Sequence, residues 1–385
     1  VEVDDVLTSN NVWFGLDAHG GASRVDTFNI KHIPRTGPIT VVDRSTTKVE
    51  QCPVGLQSLA SKKRPGFLIG TAVALNPLVS DQTYTALLAG NFGSLTPENA
   101  GKPQFLQPKE GIFTFNELDD IVDFSRRQEM KVHGHALLPN RSFPQWMNEL
   151  QTDTATDKRR VRDVMENHLA TVASHYPPHK IHAWDVFNEI LGHYTDKWRD
   201  TLWYRAMGEK VFEIGLQVVR DVNPNIQTWI NDYGMDKYDP ANPIDEVRFQ
   251  AVFRLAQRLA DKGLLDGIGF EGHVYEIPRD LMNPEWLGKR IDRLAVEGLK
   301  ARVSEMDVTM RAGAARQAEH FVEVLREIIT KPNVTDFTVW GIGGPYSSTA
   351  SLNGDNFSYS SNLLWDEHLK PRESYWALQN LLRHK

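Results

Sequence analysis

From Phe67 onward, short apolar runs alternate with longer stretches whose apolar positions recur three and four residues apart. The runs 67–74, 91–95, 131–138, 181–189, 226–233, 267–275, 299–307 and 336–342 are rich in branched and aromatic residues and read as strands. The segments 117–129, 157–174, 203–222, 244–262, 314–331 and 372–383 carry the helical period. Thr96-Pro97-Glu98 and Asp157 read as signals for the start of a helix. About eight strands alternating with about eight helices predict an α/β chain folded as a (β/α)8 TIM barrel. A doubly wound open sheet would place a glycine-rich phosphate loop after an early strand, and the sequence has none.

Residues 1–65 have another texture, with short alternating pieces (VWFGLDA, TFNIKHI, ITVVDRS) separated by Gly and Pro. They read as an N-terminal extension of short strands, or a small β-rich module, placed before a barrel spanning 66–385. The basic SKKRPG at 61–66 marks the boundary.

Composition narrows the function. No run of 18 apolar residues occurs, so no membrane partner is expected. A net charge of −7 and a pI near 6.0 argue against nucleic acid, whose phosphates call for basic patches. Cys52 is the single cysteine and cannot form an intrachain disulfide. The chain opens at Val1 with no basic segment leading into an apolar one. A secreted protein, extracellular or periplasmic, whose leader is already absent is therefore expected, working as a monomer.

The chemistry sits at the strand ends. IHAWDVFNEI (181–190) is a buried-strand pattern that stops at Glu189, and LKARVSEMDV (299–308) repeats it with Glu305 and Asp307. The other predicted strands deliver Glu98 and Asn99, His135, Asn188, Asn231 and Tyr233, Glu271 and His273, and Trp340. In a barrel these C-terminal ends share one rim, where catalytic groups gather. Two strands that each bring a glutamate to that rim supply what a glycosidase needs. A rival pattern is His133-Gly-His135, whose spacing puts two imidazoles on one side of a strand as in some metal hydrolases. No Lys, Asp or further His at other strand ends completes a cage and His273 has another role, so neither metal nor cofactor is expected.

The ordered set TPENAGK (96–102), GHALL (134–138), WDVFNE (184–189), NDY (231–233), GIGFEGH (267–273), SEMD (304–307) and VWG (339–341) resembles glycoside hydrolase family 10, the retaining β-xylanases. The resemblance covers about 67–383. It implies Glu189 as acid/base and Glu305 as nucleophile, with Asn188, His273 and Asp307 in support. It further implies Glu98, Asn99, Lys102 and His135 as ligands of the sugar on the glycone side, Tyr233 on the aglycone side and Trp340 beneath the reacting sugar. Its substrate would be a polysaccharide or oligosaccharide, xylan or a related plant polymer.

Four positions depart from the pattern. Pro103, Pro139 with Asn140, and Ser348 stand where the family usually has Trp, Trp-His and Trp, and Glu271 stands where it usually has Gln. Missing aromatic walls leave room for a decorated xylan or another β-glycoside, and Glu271 adds an acid that hydrogen-bonds a hydroxyl or stays protonated beside Glu305. A sugar-binding barrel without turnover is the remaining alternative, and two intact glutamates speak against it.

Overall fold

The computed structural model describes residues 54–237, 243–275, 282–343, 346 and 362–384, and Pro53–Lys385 form one compact unit. Nine parallel-paired strands run in chain order: β1 Leu68–Val73, β2 Ser94–Pro97, β3 Lys131–Leu138, β4 Ala183–Asn188, β5 Gln227–Asp232, β6 Gly267–Phe270, β7 His273–Val274, β8 Lys300–Val308 and β9 Val334–Val339. Each pairs with the next from β1 to β6, β6 pairs with β8, β8 with β9, and β9 returns to β1. The sheet therefore closes into an eight-stranded barrel, with β7 continuing the sixth staves beyond Glu271-Gly272. Gly272 has φ +80° there, a conformation that costs a residue with a Cβ far more than glycine.

Helices Asn116–Arg127, Ala155–His175, Ile244–Ala260, Ala314–Ile328 and Glu373–Arg383 follow the sequence pattern to within a few residues. Several expectations need correction. The second strand is Ser94–Pro97, not 91–95, because the helix Gln82–Asn91 runs through its first position. Asp81 caps that helix by accepting from the amides of Thr83 and Tyr84. Thr96 and Pro97 therefore end a strand and start no helix. Asp157 lies one turn inside its helix, where it completes a capping box with Thr154, the actual cap. The expected helix 203–222 breaks at Gly208, φ +60°, into Leu202–Met207 and Lys210–Val222. The strand expected over 267–275 is interrupted at Glu271-Gly272. The 1–65 extension lies mostly outside the described residues, as does Ser348, but its last stretch Leu56–Lys63 is a helix beside Glu373–Arg383.

The barrel interior is unusually polar beneath the rim. Arg302 on β8 is buried and donates to Asp336 Oδ1 at 2.9 Å, and lies 4.0 Å from Asp185 Oδ2 on β4. Asp185 in turn bridges His133 Nε2 and His135 Nδ1, each at 2.9 Å. Burial pushes the Asp185 carboxyl up, yet His133, His135 and Arg302 outweigh it and hold the group well below the carboxylate range. The His-x-His spacing thus serves a buried carboxylate. These bonds tie β3, β4, β8 and β9 together beneath the rim.

Candidate active site

Glu305 leaves β8 buried, with both oxygens engaged. Its Oε1 accepts from Asn231 Nδ2 at 2.7 Å and lies 3.9 Å from His135 Nε2. Its Oε2 meets His273 Nε2 at 3.3 Å, and the other nitrogen of that ring meets Asp307 Oδ1 at 3.0 Å. Burial works to raise the Glu305 pKa, but His135 and His273 reverse the balance and hold it below its ordinary value. His273 is shifted the other way. Burial disfavours its charge, while Asp307, Glu305 and Glu271 outweigh that and push its pKa well up. Both shifts favour the charged forms of the two groups that face each other, His273 and Glu305.

Asn231, at 0% exposure, organises the floor. Its Nδ2 also donates to Asn188 Oδ1 at 2.8 Å, and its Oδ1 accepts from Ser304 Oγ at 2.5 Å. Facing it across the β5–β6 pairing is Gly269, where a Cβ would collide with that same Oδ1. Glycine at 269 is what lets the amide stand upright in the rim.

Glu189 follows β4 with φ +53°, a sparsely populated backbone region for a residue with a side chain. Its amide donates to Asn231 O at 2.8 Å, and Arg199 Nε donates to its carbonyl at 2.8 Å, which pins the strained residue on both sides. The carboxylate is half-shielded. Oε2 accepts from Asn140 Nδ2 at 2.5 Å and from Arg199 at 3.3 Å. Burial first, then the Glu305 charge, raise the Glu189 pKa, and Arg199, Arg141 and His273 only partly oppose them. Two like carboxyls on one rim are thereby split, one held ionised and one biased towards the proton.

The remaining predicted residues arrange around this pair. Asn99 Nδ2 donates to Glu98 Oε1 at 3.3 Å, and Lys102 Nζ to Asn99 Oδ1 at 3.2 Å, a polar arc leading from β2. Burial lowers the Lys102 pKa against the pull of Glu305, Glu98 and Glu189. Trp340 is buried edge-on to His135, with ring centroids 5.2 Å apart. Tyr233 is tied to the acid side: its hydroxyl accepts from Arg199 at 3.2 Å and its ring lies under the Arg248 guanidinium at 4.7 Å. Glu271 is buried, 3.5 Å from Asn231 Nδ2 and 3.6 Å from His273 Nε2, and burial followed by Glu305 and Glu189 pushes its pKa well up. Pro103 opens the short helix Pro103–Leu106, and Pro139 is buried beside Phe187 and Trp203.

Sequence reasoning gave five participants no role. Asn231, named only as a strand-end residue, and Asp185 sat inside the quoted motifs NDY and WDVFNE. Asn140 was noted as a departure, yet its bond to Glu189 needs the β3 and β4 loops to meet. Arg199 and Arg248 carried no signal, because the one reaches Glu189 and the other the Asp232 carboxylate, at 3.0 Å, only through the fold.

Comparison with known proteins accords with this geometry. The profile described as Glycosyl hydrolase family 10 matches residues 56–381. A β-1,4-xylanase of Dictyoglomus thermophilum is 29% identical over 352 residues, covering 86% of this chain and 93% of that protein. The exoglucanase XynX of Acetivibrio thermocellus is 28% identical over 339 residues; the match takes in 84% of this chain but spans only 29% of that protein. Among solved structures, xylanase 10B of Thermotoga petrophila RKU-1 in complex with xylobiose superposes with a TM-score of 0.77 at 26% identity, covering 86% of this chain and 98% of the other. With the matching profile running across nearly the whole barrel, this chain belongs to glycoside hydrolase family 10.

Proposed function

We propose that the protein is a retaining β-glycoside hydrolase of the endo-1,4-β-xylanase type, acting by double displacement on xylan or a related polymer outside the cell. The observation that carries this reading is the opposite bias of Glu189 and Glu305 on one rim. Glu189 in its acid form gives its proton to the glycosidic oxygen as the C–O bond breaks. Glu305 attacks the anomeric carbon and forms the glycosyl-enzyme ester. With its charge quenched in the ester, Glu305 no longer raises the pKa of Glu189. Glu189, now a carboxylate, takes a proton from water, which attacks the same carbon and releases Glu305. His273, clamped by Asp307, keeps Glu305 ionised and aimed. Asn188 donates to the 2-hydroxyl of the reacting sugar, and Glu98, Asn99, Lys102 and His135 hold the glycone. The solved relative's bound xylobiose supports a xylose-based chain as substrate. Proton NMR of xylotetraose hydrolysis tests the mechanism: the first-formed reducing ends are β, and an initial α product would overturn retention.

A second reading concerns preference within the class. Pro103 and Pro139 replace expected tryptophans, and Glu271 places a carboxyl where an amide is usual. Lost aromatic walls weaken the grip on a plain xylose chain, and a buried acceptor discriminates between hydroxyl patterns more strongly than shape does. The enzyme then prefers substituted xylan or another β-glycoside. If it cleaves linear xylohexaose faster than every decorated or hexose-based substrate, this preference is wrong.

A further inference from the structure

Of the three groups Glu271, His273 and Glu305 packed together at the rim, His273 and Glu305 have steps in the proposed reaction. Glu271 has none. Its carboxyl is 2% exposed, and its Oε2 lies 3.6 Å from His273 Nε2, which is itself 3.3 Å from Glu305 Oε2. One donor atom from each of the three lies within 4.8 Å of the others. A four-coordinate zinc ion bound by nitrogen and oxygen at about 2.0–2.1 Å has ligand-to-ligand edges of about 3.3–3.4 Å. The His273–Glu305 separation of 3.3 Å equals that edge, and the His273–Glu271 separation of 3.6 Å is slightly longer.

The surrounding bonds orient each ligand, and an ion binding here displaces the proton that His273 Nε2 holds towards Glu305. His273 gives its other nitrogen to Asp307 Oδ1, the carboxylate–histidine relay that orients imidazoles on metals. Asn231 holds Glu305 by Oε1, so Oε2 is the oxygen turned to His273. The His133 and His135 rings, the other imidazoles of this rim, are both engaged with Asp185. His273 keeps 15% of its side chain exposed, so solvent reaches one side of the triad.

We propose that Glu271, His273 and Glu305 bind one divalent ion of the zinc class, and that the bound ion blocks turnover by occupying the attacking oxygen. Binding stands on the ligand geometry alone, whereas the block rests on Glu305 being the nucleophile. The usual glutamine at 271 would leave one anionic ligand where this chain has two. Sensitivity to zinc is thus a property that this one substitution adds.

Isothermal titration of chelator-stripped enzyme with zinc chloride, alongside Glu271→Gln, tests the site. One ion per chain is expected, with affinity falling at least about tenfold in the variant, since even supporting residues around a metal contribute about 10–100-fold. Cobalt(II) in place of zinc should give the visible absorption of a low-coordinate ion, absent in Glu271→Gln. No binding in the wild type, or equal binding in the variant, overturns the proposal. Should the variant fail to fold, saturating xylobiose in the wild type should weaken zinc binding, and indifference to the sugar overturns it. Zinc should also inhibit hydrolysis competitively. Binding lost in Glu271→Gln without any inhibition of the wild type would leave the site standing but overturn the block, and the nucleophile role of Glu305 with it.

Discussion

Glu189 and Glu305 are the same residue type on one rim, yet their surroundings divide their tasks. Glu305 stands on a continuous strand, ringed by His273, His135 and Asn231, and both its oxygens find partners on other strands. Glu189 stands one residue past its strand in a strained conformation, held mainly by loop residues Asn140 and Arg199. The donors on the strand side outweigh burial, and those on the loop side do not. On the proposed mechanism, the nucleophile is built from rigid strand-borne donors, whereas the acid that must gain and lose a proton is left to a weaker, adjustable shell.

The sharpest way to break this contrast is to remove one member at a time. Glu305→Ala should lower kcat on the order of 10^4-fold or more on every substrate, as losses of nucleophiles do. Azide should restore turnover with an α-configured product, measured by NMR. A Glu305→Ala enzyme that turns over unaided would dissolve the division of labour. Glu189→Ala should cost roughly 10^2–10^4-fold on xylooligosaccharides but far less on dinitrophenyl glycosides, whose leaving group needs no proton. Equal losses on both would give Glu189 another role.

The third test reaches the shell. Glu189 faces Glu305, Glu271, Asp232, Lys102, Arg141, His273, Tyr233 and Arg199, and Arg199 is the cation that most depresses its pKa. Arg199→Met removes a stabiliser of the carboxylate, so Glu189 keeps its proton to higher pH. The alkaline limb of kcat/KM should move up while the acid limb, set by Glu305, stays in place. An unmoved alkaline limb breaks the assignment.

A buried group away from the rim sharpens the comparison from the other side. His168 is 1% exposed in the helix Ala155–His175, and burial lowers its pKa to about 4. Its unfolded value is about 6.5, so between the two the unfolded chain binds more protons and stability falls as pH falls. The loss amounts to up to about 3 kcal/mol below pH 4. His168→Gln should flatten the acid side of a Tm-against-pH profile and leave the pH profile of kcat/KM where it was. Burial at the rim is then read in activity, and burial in the scaffold in stability.

How far the sequence reached follows the same line. Alternation of apolar runs with helical periods determined the barrel, because strand and helix periods are local and a parallel sheet needs helical crossovers. Polar residues at the ends of those runs, Glu189, Glu305, His273 and Asp307 among them, were legible for the same reason: a strand end on a closed barrel has one destination. Boundaries were less so. Asn91 belongs to a helix that Asp81 caps, and the sixth strand breaks at a glycine, features decided by hydrogen bonds rather than by pattern. Tertiary structure alone decided that His133 and His135 grip Asp185, that Asn231 joins Glu305 to Asn188, that Asn140 and Arg199 meet at Glu189, and that Glu271 lies against His273. Each of these contacts joins side chains from different strands or loops, and the pKa of a carboxyl depends on charges and burial within a few ångströms, distances that chain order does not encode.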